Sequence, residues 1–178
     1  VDVVYTDFQK AFDQIDHFIL LAKLKRYGFS DALCSLFRSY LVNRNQCVKY
    51  KEHLSDAYVP TSGVPQGPNL FFLRFINDIT EVTASNKELF ADDLKIYPNI
   101  TSVRDCIYLQ QDLAKIMIWC MKNRLFLNIS KCFIVSFCCK IHALLFDYTL
   151  NDILLVRKSE IRDLGIIFDE KFTFRQLY

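Results

Sequence analysis

Two adjacent carboxylates, Asp92 and Asp93, follow Phe90-Ala91 and precede Leu94-Lys95-Ile96-Tyr97, so they fall where two apolar strands should turn. Adjacent residues of a strand face opposite ways, and only a turn presents two neighbouring acids to one locality. Like charges in apolar surroundings are unfavourable unless a cation is near, and a divalent metal is the simplest candidate. A third acid, Asp7, ends the β-branched and aromatic run Val1-Asp2-Val3-Val4-Tyr5-Thr6, just before a helical pattern starts. An acid at the end of one strand and two at the turn of a neighbouring hairpin can converge although far apart in sequence. Such a set offers the hard oxygen ligands that magnesium takes, with manganese as its substitute, and leaves positions for water and phosphate. Two metals held about 3.5–4 Å apart would clamp the attacking and leaving oxygens of an in-line phosphoryl displacement. The chemistry these residues suggest is nucleotidyl transfer.

The rest of the chain must hold those acids. Phe18 to Leu24 has the pattern of an amphipathic helix ending near Gly28, with Asp13 and Asp16 placed to cap its start. Ser30 is expected to cap a second helix from Asp31 to about Leu41. Residues 47–50 and 57–59 read as a hairpin leading into the Gly63 to Gly67 loop, after which Pro68 suits the start of a short helix through Ile79. Ser102-Val103-Arg104-Asp105 has the form of a capping box, and Cys106, Leu109, Leu113, Ile116, Met117 and Cys120 recur at helical spacing behind it. Alternating runs at 133–137, 144–148, 153–156 and 161–168 suggest a small antiparallel sheet. Helices packed on one side of an antiparallel sheet, with the acid hairpin at its centre, make an α+β fold.

Composition bounds the function. The 178 residues are 52% hydrophobic and 15% aromatic, enough for one domain or a large piece of one. Net charge is +2, from 22 basic and 20 acidic residues, without the basic excess of an autonomous nucleic-acid grip. Any phosphate contact is therefore local, and Lys23, Lys25, Arg26, Arg38, Arg44 and Lys49 are the cluster that could make it. Seven cysteines without a C-x-x-C pair predict free thiols in a reducing compartment, and the three histidines are too scattered for a metal site. With no signal peptide and no run of eighteen apolar residues, the expected setting is intracellular, nuclear or cytoplasmic, neither secreted nor membrane-bound.

Five strings occur in order: Tyr5-Thr6-Asp7-Phe8-Gln9-Lys10-Ala11-Phe12-Asp13, Ser62-Gly63-Val64-Pro65-Gln66-Gly67, Phe75-Ile76-Asn77-Asp78, Phe90-Ala91-Asp92-Asp93 and Leu125-Phe126-Leu127-Asn128-Ile129-Ser130-Lys131-Cys132. This set resembles that of a reverse transcriptase, in the variant of non-LTR (LINE-like) retrotransposons. The resemblance implies a polymerase palm over residues 1–178 with RNA template, DNA primer and dNTP as partners, and integration of the DNA copy as the wider process. It makes Asp7, Asp92 and Asp93 the catalytic acids and magnesium ligands. Phe8, Phe12, Gln66 and Gly67 then lie at the nucleotide, with the Phe12 ring excluding a 2′-hydroxyl. By the same resemblance Lys131 is a proton donor to departing pyrophosphate, and Leu164-Gly165 belong to the turn that grips the primer.

The sequence also departs from the family pattern. It opens inside the first catalytic strand and stops after the primer-grip-like strand, which implies truncated fingers and no thumb. The segment between Gly67 and Phe75 is short, and Arg74 is expected to intrude in its apolar face and rotate Gln66. Two readings follow: an RNA-directed DNA polymerase domain, or an inactive retroelement-derived fragment acting as an interaction or nucleic-acid-binding module.

Overall fold

β-Branched residues at the N-terminus extend the chain as β1 (Asp2–Thr6), which α1 (His17–Arg26) and α2 (Asp31–Leu41) follow. Next come β2 (Lys49–Tyr50), β3 (His53–Leu54) and α3 (Leu70–Ile76), which runs into a 3-10 turn at Asn77–Glu81. The acid hairpin is β4 (Lys87–Phe90) and β5 (Asp93–Ile96), followed by α4 (Val103–Asn123) and β6 (Phe133–Ser136). The chain closes with β7 (Thr149–Leu150), β8 (Ile153–Leu154), β9 (Val156–Lys158), β10 (Glu160–Asp163) and β11 (Ile166–Asp169). This computed structural model describes residues 1–65, 70–138, 144–163 and 165–171. They form two units: Val1–Gln9 with Ile79–Lys122 and Phe126–Tyr178, and Lys10–Asp78 with Asn123–Leu125.

The first unit is built on a five-stranded sheet of order β4-β5-β1-β6-β9. β1 runs antiparallel to β5 and β6, whereas β6 and β9 are parallel, so the sheet is mixed and not the antiparallel one expected. β1, not the acid hairpin, is its centre. The physical reason lies in β6: Ile134 and Val135 are both buried and pair with Val4 and Val3, so this strand completes the main sheet instead of starting another. Residues 144–148 form no strand, and β7–β8 and β10–β11 are separate hairpins. One face of the sheet, carrying Asp2, Val4, Thr6, Leu94, Ile96 and Ile134, is buried throughout. Burying each such aliphatic side chain contributes roughly 1.5–3 kcal/mol. Asp2 survives there because Ser136 Oγ donates to it at 2.5 Å and the Tyr148 hydroxyl at 2.9 Å. Burial pushes the Tyr148 hydroxyl far above its usual pKa, with Cys106 of α4 and Asp2 adding to it. α4 opens on the expected capping box: Asp105 accepts from the Ser102 amide at 2.8 Å, and Ser102 Oγ lies 3.4 Å from the Asp105 amide.

In the second unit Asp16 caps α1 by accepting from the Phe18 and Ile19 amides, and Ser30 caps α2. Asp13 is not a cap. Gly28 takes φ +87° where α1 ends, the left-handed position a glycine adopts without strain. Lys23, expected among surface cations, is buried instead, donating to the Phe75 carbonyl at 2.6 Å and to Asp78 at 2.7 Å. Burial pulls its ammonium below the usual lysine range, and Asp78 opposes that. α3 buries Phe71, Phe72, Phe75 and Ile76 and leaves Leu73 and Arg74 exposed, so Arg74 does not intrude in the apolar face. A seven-residue helix has room for both faces when its apolar residues recur at i, i+1, i+4 and i+5. Cys34, Cys47, Cys106, Cys120 and Cys132 are free thiols. No described helix is long and apolar enough to cross a membrane.

Candidate active site

The acids are positioned by strand register. Phe90 pairs with Asp93, which leaves Ala91 and Asp92 as a two-residue turn. Such tight turns need positive φ, and Ala91 takes +52°, a conformation that costs a non-glycine residue about 1–2 kcal/mol. Across the sheet Thr6 pairs with Leu94 and Tyr5 with Lys95, and Thr6 Oγ1 donates to the Leu94 carbonyl at 2.9 Å. Asp7 follows Thr6 and Asp93 precedes Leu94, so period-two alternation sends both carboxylates out of the buried face. Both line a cleft of about 430 Å³ in the first unit. Asp92 stays at the turn, half-buried. Burial, then the charge of Asp92, holds the Asp93 carboxyl above the usual carboxylate range; Lys95 opposes this, while Asp163 and Asp7 add to it.

The fifth sequence string arrives beside the first by backbone pairing. Phe8 bridges Leu127, the Gln9 amide donates to the Phe126 carbonyl at 2.8 Å, and the Asn128 amide donates to the Asp7 carbonyl at 2.7 Å. A 3-10 turn, Ile129–Lys131, then brings Lys131 Nζ to 3.4 Å from Asp7 Oδ2. Phe8 itself is buried, with its backbone bridged to Leu127.

Four residues that the sequence reading did not single out also line the cleft. Lys95 Nζ lies 2.5 Å from Asp163 Oδ2, Lys158 Nζ sits 3.8 Å from the centroid of the Phe133 ring, and Arg162 faces the same space. Tyr5 stacks on Phe133 at 5.2 Å, and burial, then Asp163 and Glu88, push its hydroxyl up to about 12. Lys95, Lys131, Lys158 and Arg162 thus surround Asp7, Asp93 and Asp163, a balance suited to phosphate oxygens. The i, i+2 spacing of Asp93 and Lys95 was the available signal; Asp163 and Lys158 arrive through non-local pairing that no local pattern encodes.

Among the described residues no group of three or more His, Cys, Asp or Glu is gathered to hold a metal ion. The donor chemistry nonetheless fits one: Asp7 and Asp93 offer hard oxygens in one cleft, and burial, then the neighbouring acids, disfavour an Asp93 charge that a divalent cation would relieve.

The second unit carries Phe12 and the second string. The Val64 amide donates to the Phe12 carbonyl, the Gly63 amide to the Ile15 carbonyl and Ser62 Oγ to the Asp13 carbonyl, each at 2.8 Å. His17 Nε2 at 2.7 Å and Arg44 Nη2 at 3.0 Å both donate to the Gly63 carbonyl. Gly63 is required here: its φ is +85°, and a Cβ would stand 2.8 Å from the Asp13 Cα. Phe12 is half-buried and stacks on Phe72 at 4.6 Å. Gln66, Gly67 and Leu164 lie outside the described residues, while Gly165 takes φ +88° in the turn between β10 and β11.

Residues 3–168 match the family described as reverse transcriptase (RNA-dependent DNA polymerase). The chain is 27% identical over 189 residues to a probable RNA-directed DNA polymerase from transposon BS of Drosophila melanogaster, covering 97% of the chain and 20% of that protein. It is 30% identical over 184 residues to the RNA-directed DNA polymerase from mobile element jockey of Drosophila funebris, again covering 97% and 20%. The jockey polymerase of Drosophila melanogaster is 30% identical over 183 residues, with 96% and 20% covered. The chain spans about a fifth of the length of these relatives.

Proposed function

The chain belongs to the reverse transcriptase family, and from that premise we propose that it is the palm of a non-LTR retrotransposon's RNA-directed DNA polymerase. The observation that carries this reading is the shared cleft of Asp7 and Asp93, with Asp92 on the turn beside them and a ring of cations around. In the reaction the primer 3′-hydroxyl attacks the α-phosphate of a dNTP, a new phosphodiester bond forms, and the bond to the β-phosphate breaks to release pyrophosphate. Asp7, Asp92 and Asp93 would hold magnesium or manganese, which supplies charge neutralisation at the attacking and leaving oxygens.

The protein's own groups set the geometry. Lys131 would give a proton to departing pyrophosphate, a role supported by its distance of 3.4 Å from Asp7 Oδ2. Phe12, whose ring stacks on Phe72, would disfavour a 2′-hydroxyl on the nucleotide sugar, since a phenyl ring donates no hydrogen bond. Gln66 and Gly67 are assigned to the nucleotide, and Leu164-Gly165 to the primer, with RNA as template. The decisive experiment is primer extension on RNA by a longer protein containing this segment: incorporation is expected, and Asp92→Asn should abolish it. A variant retaining full incorporation defeats the assignment.

The second reading, a non-catalytic module acting on nucleic acid or a partner, is favoured by the acids not converging on one ligand shell among the described residues. Primer extension from the 178-residue chain alone rules it out.

A further inference from the structure

α4 carries two apolar rows. The inner one, which includes Cys106, Leu109, Leu113 and Ile116, is buried. The outer one is Ile107, Ala114, Ile118 and Met121, with Gln111 among them, and all five are exposed. The three large side chains, Ile107, Ile118 and Met121, are 45%, 47% and 59% open to solvent. Single exposed aliphatic residues are ordinary on a protein surface; a row of them in helical register is not. Steps of four, three, four and three residues separate these positions. That period keeps a row of side chains facing one partner helix along its length. The row runs about 21 Å, and Ala114 at its middle lets a facing backbone come close.

The charges beside the row say what kind of helix fits. Tyr108, Lys115 and Lys122 follow one another every seven residues along one edge. Arg104 leans to the same edge, its Nε donating to the Tyr108 hydroxyl at 2.7 Å. Arg104, Lys115 and Lys122 are all exposed. The acids of α4, Asp105 and Asp112, face elsewhere: Asp105 accepts from Thr101 and Ser102 in the cap, and Asp112 is buried. Lys115 reaches Asp112 at 2.7 Å, but that carboxylate already accepts from the Ala84 and Ser85 amides. The edge therefore presents positive charge to solvent. On the other side of the row, Gln110 exchanges hydrogen bonds of 3.0 and 2.9 Å with the Thr149 backbone, which fixes the β7–β8 hairpin there. Ile153 and Leu154 of that hairpin are exposed as well, giving the row one basic edge and one apolar one.

Two other occupants fit less well. A second copy of this chain packed antiparallel about Ala114 would lay Ile107 against Met121, but it would also bring Arg104 of one copy towards Lys122 of the other. A nucleic-acid strand gains little from aliphatic side chains, which offer its bases no ring to stack on. We propose that this face of α4 is a protein-docking surface whose partner is an acidic amphipathic helix. The partner's apolar residues would seat on Ile107, Ala114, Ile118 and Met121, and its carboxylates would face Arg104, Lys115 and Lys122. The inference goes beyond the polymerase reading and needs no catalysis.

The probes are two labelled helical peptides of about three heptads, with Leu on the apolar row and either Glu or Lys at the flanking positions. Each is titrated with the 178-residue chain and followed by fluorescence anisotropy across a salt series. The Glu peptide should bind roughly 10-fold tighter than the Lys peptide at low salt, and the preference should shrink as salt rises. Ile118→Asp should weaken the Glu peptide roughly 10-fold, since it sets a charge against apolar side chains. Lys122→Glu should weaken the Glu peptide roughly 3-fold and strengthen the Lys peptide by a similar factor, a change of sign that loss of fold would not produce. Both residues are exposed, and unchanged melting temperatures check that the variants fold. Equal affinity for the two peptides, or binding indifferent to both variants, overturns the proposal. So does a dimer of the chain that Ile118→Asp abolishes, which assigns the face to a second copy, or binding to phosphatidylserine vesicles that Ile118→Asp abolishes, which assigns it to a lipid surface. Peptide binding by the chain that vanishes in a longer protein containing it overturns the partner too, and makes the face an internal contact. Primer extension, present or absent, bears only on the polymerase reading.

Discussion

Lys95 Nζ lies 2.5 Å from Asp163 Oδ2, and this contact ties the strand that begins at Asp93 to the β10–β11 hairpin. Both side chains are mostly shielded, at 11% and 17% exposure. Removing either partner strands the other charge, so Lys95→Met or Asp163→Leu alone should cost about 2–3 kcal/mol. The double variant should cost less than the sum, because two apolar side chains leave no unpaired charge. Urea unfolding of the four proteins measures this, and strictly additive losses would show that the pair is not coupled.

Gly63→Ala is expected to be among the most damaging single-methyl changes in the chain. The added Cβ would meet the Asp13 Cα and carbonyl oxygen at 2.8 Å, backbone atoms that cannot swing away, at a φ of +85°. A loss of about 2–4 kcal/mol follows from strain and overpacking together. Thermal melting checks it; a variant as stable as the parent would mean that the 62–64 segment is not pinned to 12–15 as described.

These two sites show what the sequence could and could not reveal. A hairpin turn at Asp92, with Asp93 already in the next strand, the Ser102-Asp105 capping box and the Asp16 and Ser30 caps were legible because each is written within a few neighbouring residues. Lys23 was misread as a surface cation since its helix pattern cannot show that Asp78 waits beside it. The parallel pairing of β6 with β9 escaped for the same reason: alternation gives the face of a strand, not its neighbour. Lys95 and Asp163, the cleft's tightest ion pair, are 68 positions apart, and only the folded hairpin brings them together.

Acid should erase the contribution of the α4 cap. Asp105 accepts from the Thr101 and Ser102 amides and hydroxyls, and these bonds, the Thr101 amide foremost, hold its carboxyl down at about 2. A depressed folded pKa adds stability that is present above the unfolded value of 3.8 and is lost as pH falls through about 2. Asp105→Ala should therefore melt below the parent at neutral pH, with the gap closing over that acid window. A gap independent of pH would locate the effect in something other than the ionised cap.

Asp93 should behave in the opposite way, because its environment disfavours the charge that the proposed metal-binding role requires. Burial and Asp92 raise its pKa, so the ionised form is the less comfortable one in the folded chain without metal. The sign follows: a raised folded pKa contributes stability in acid that is lost as pH rises through it, and Asp93→Asn, which keeps the shape without the charge, should raise the melting temperature at neutral pH. Under the proposed function divalent metal should reverse the balance by binding the native carboxylates and not the unfolded chain, adding RT ln(1 + [Mn²⁺]/Kd) to stability. Manganese should accordingly raise the melting temperature of the parent and do so far less for Asp93→Asn or Asp7→Asn. Lys131→Gln should enlarge the manganese shift modestly, since it withdraws an ammonium lying 3.4 Å from Asp7 Oδ2 in a pair largely open to solvent. Equal manganese shifts in the parent and both Asn variants would sever the link between these acids and metal, leaving their repulsion as a structural cost without a purpose at this site.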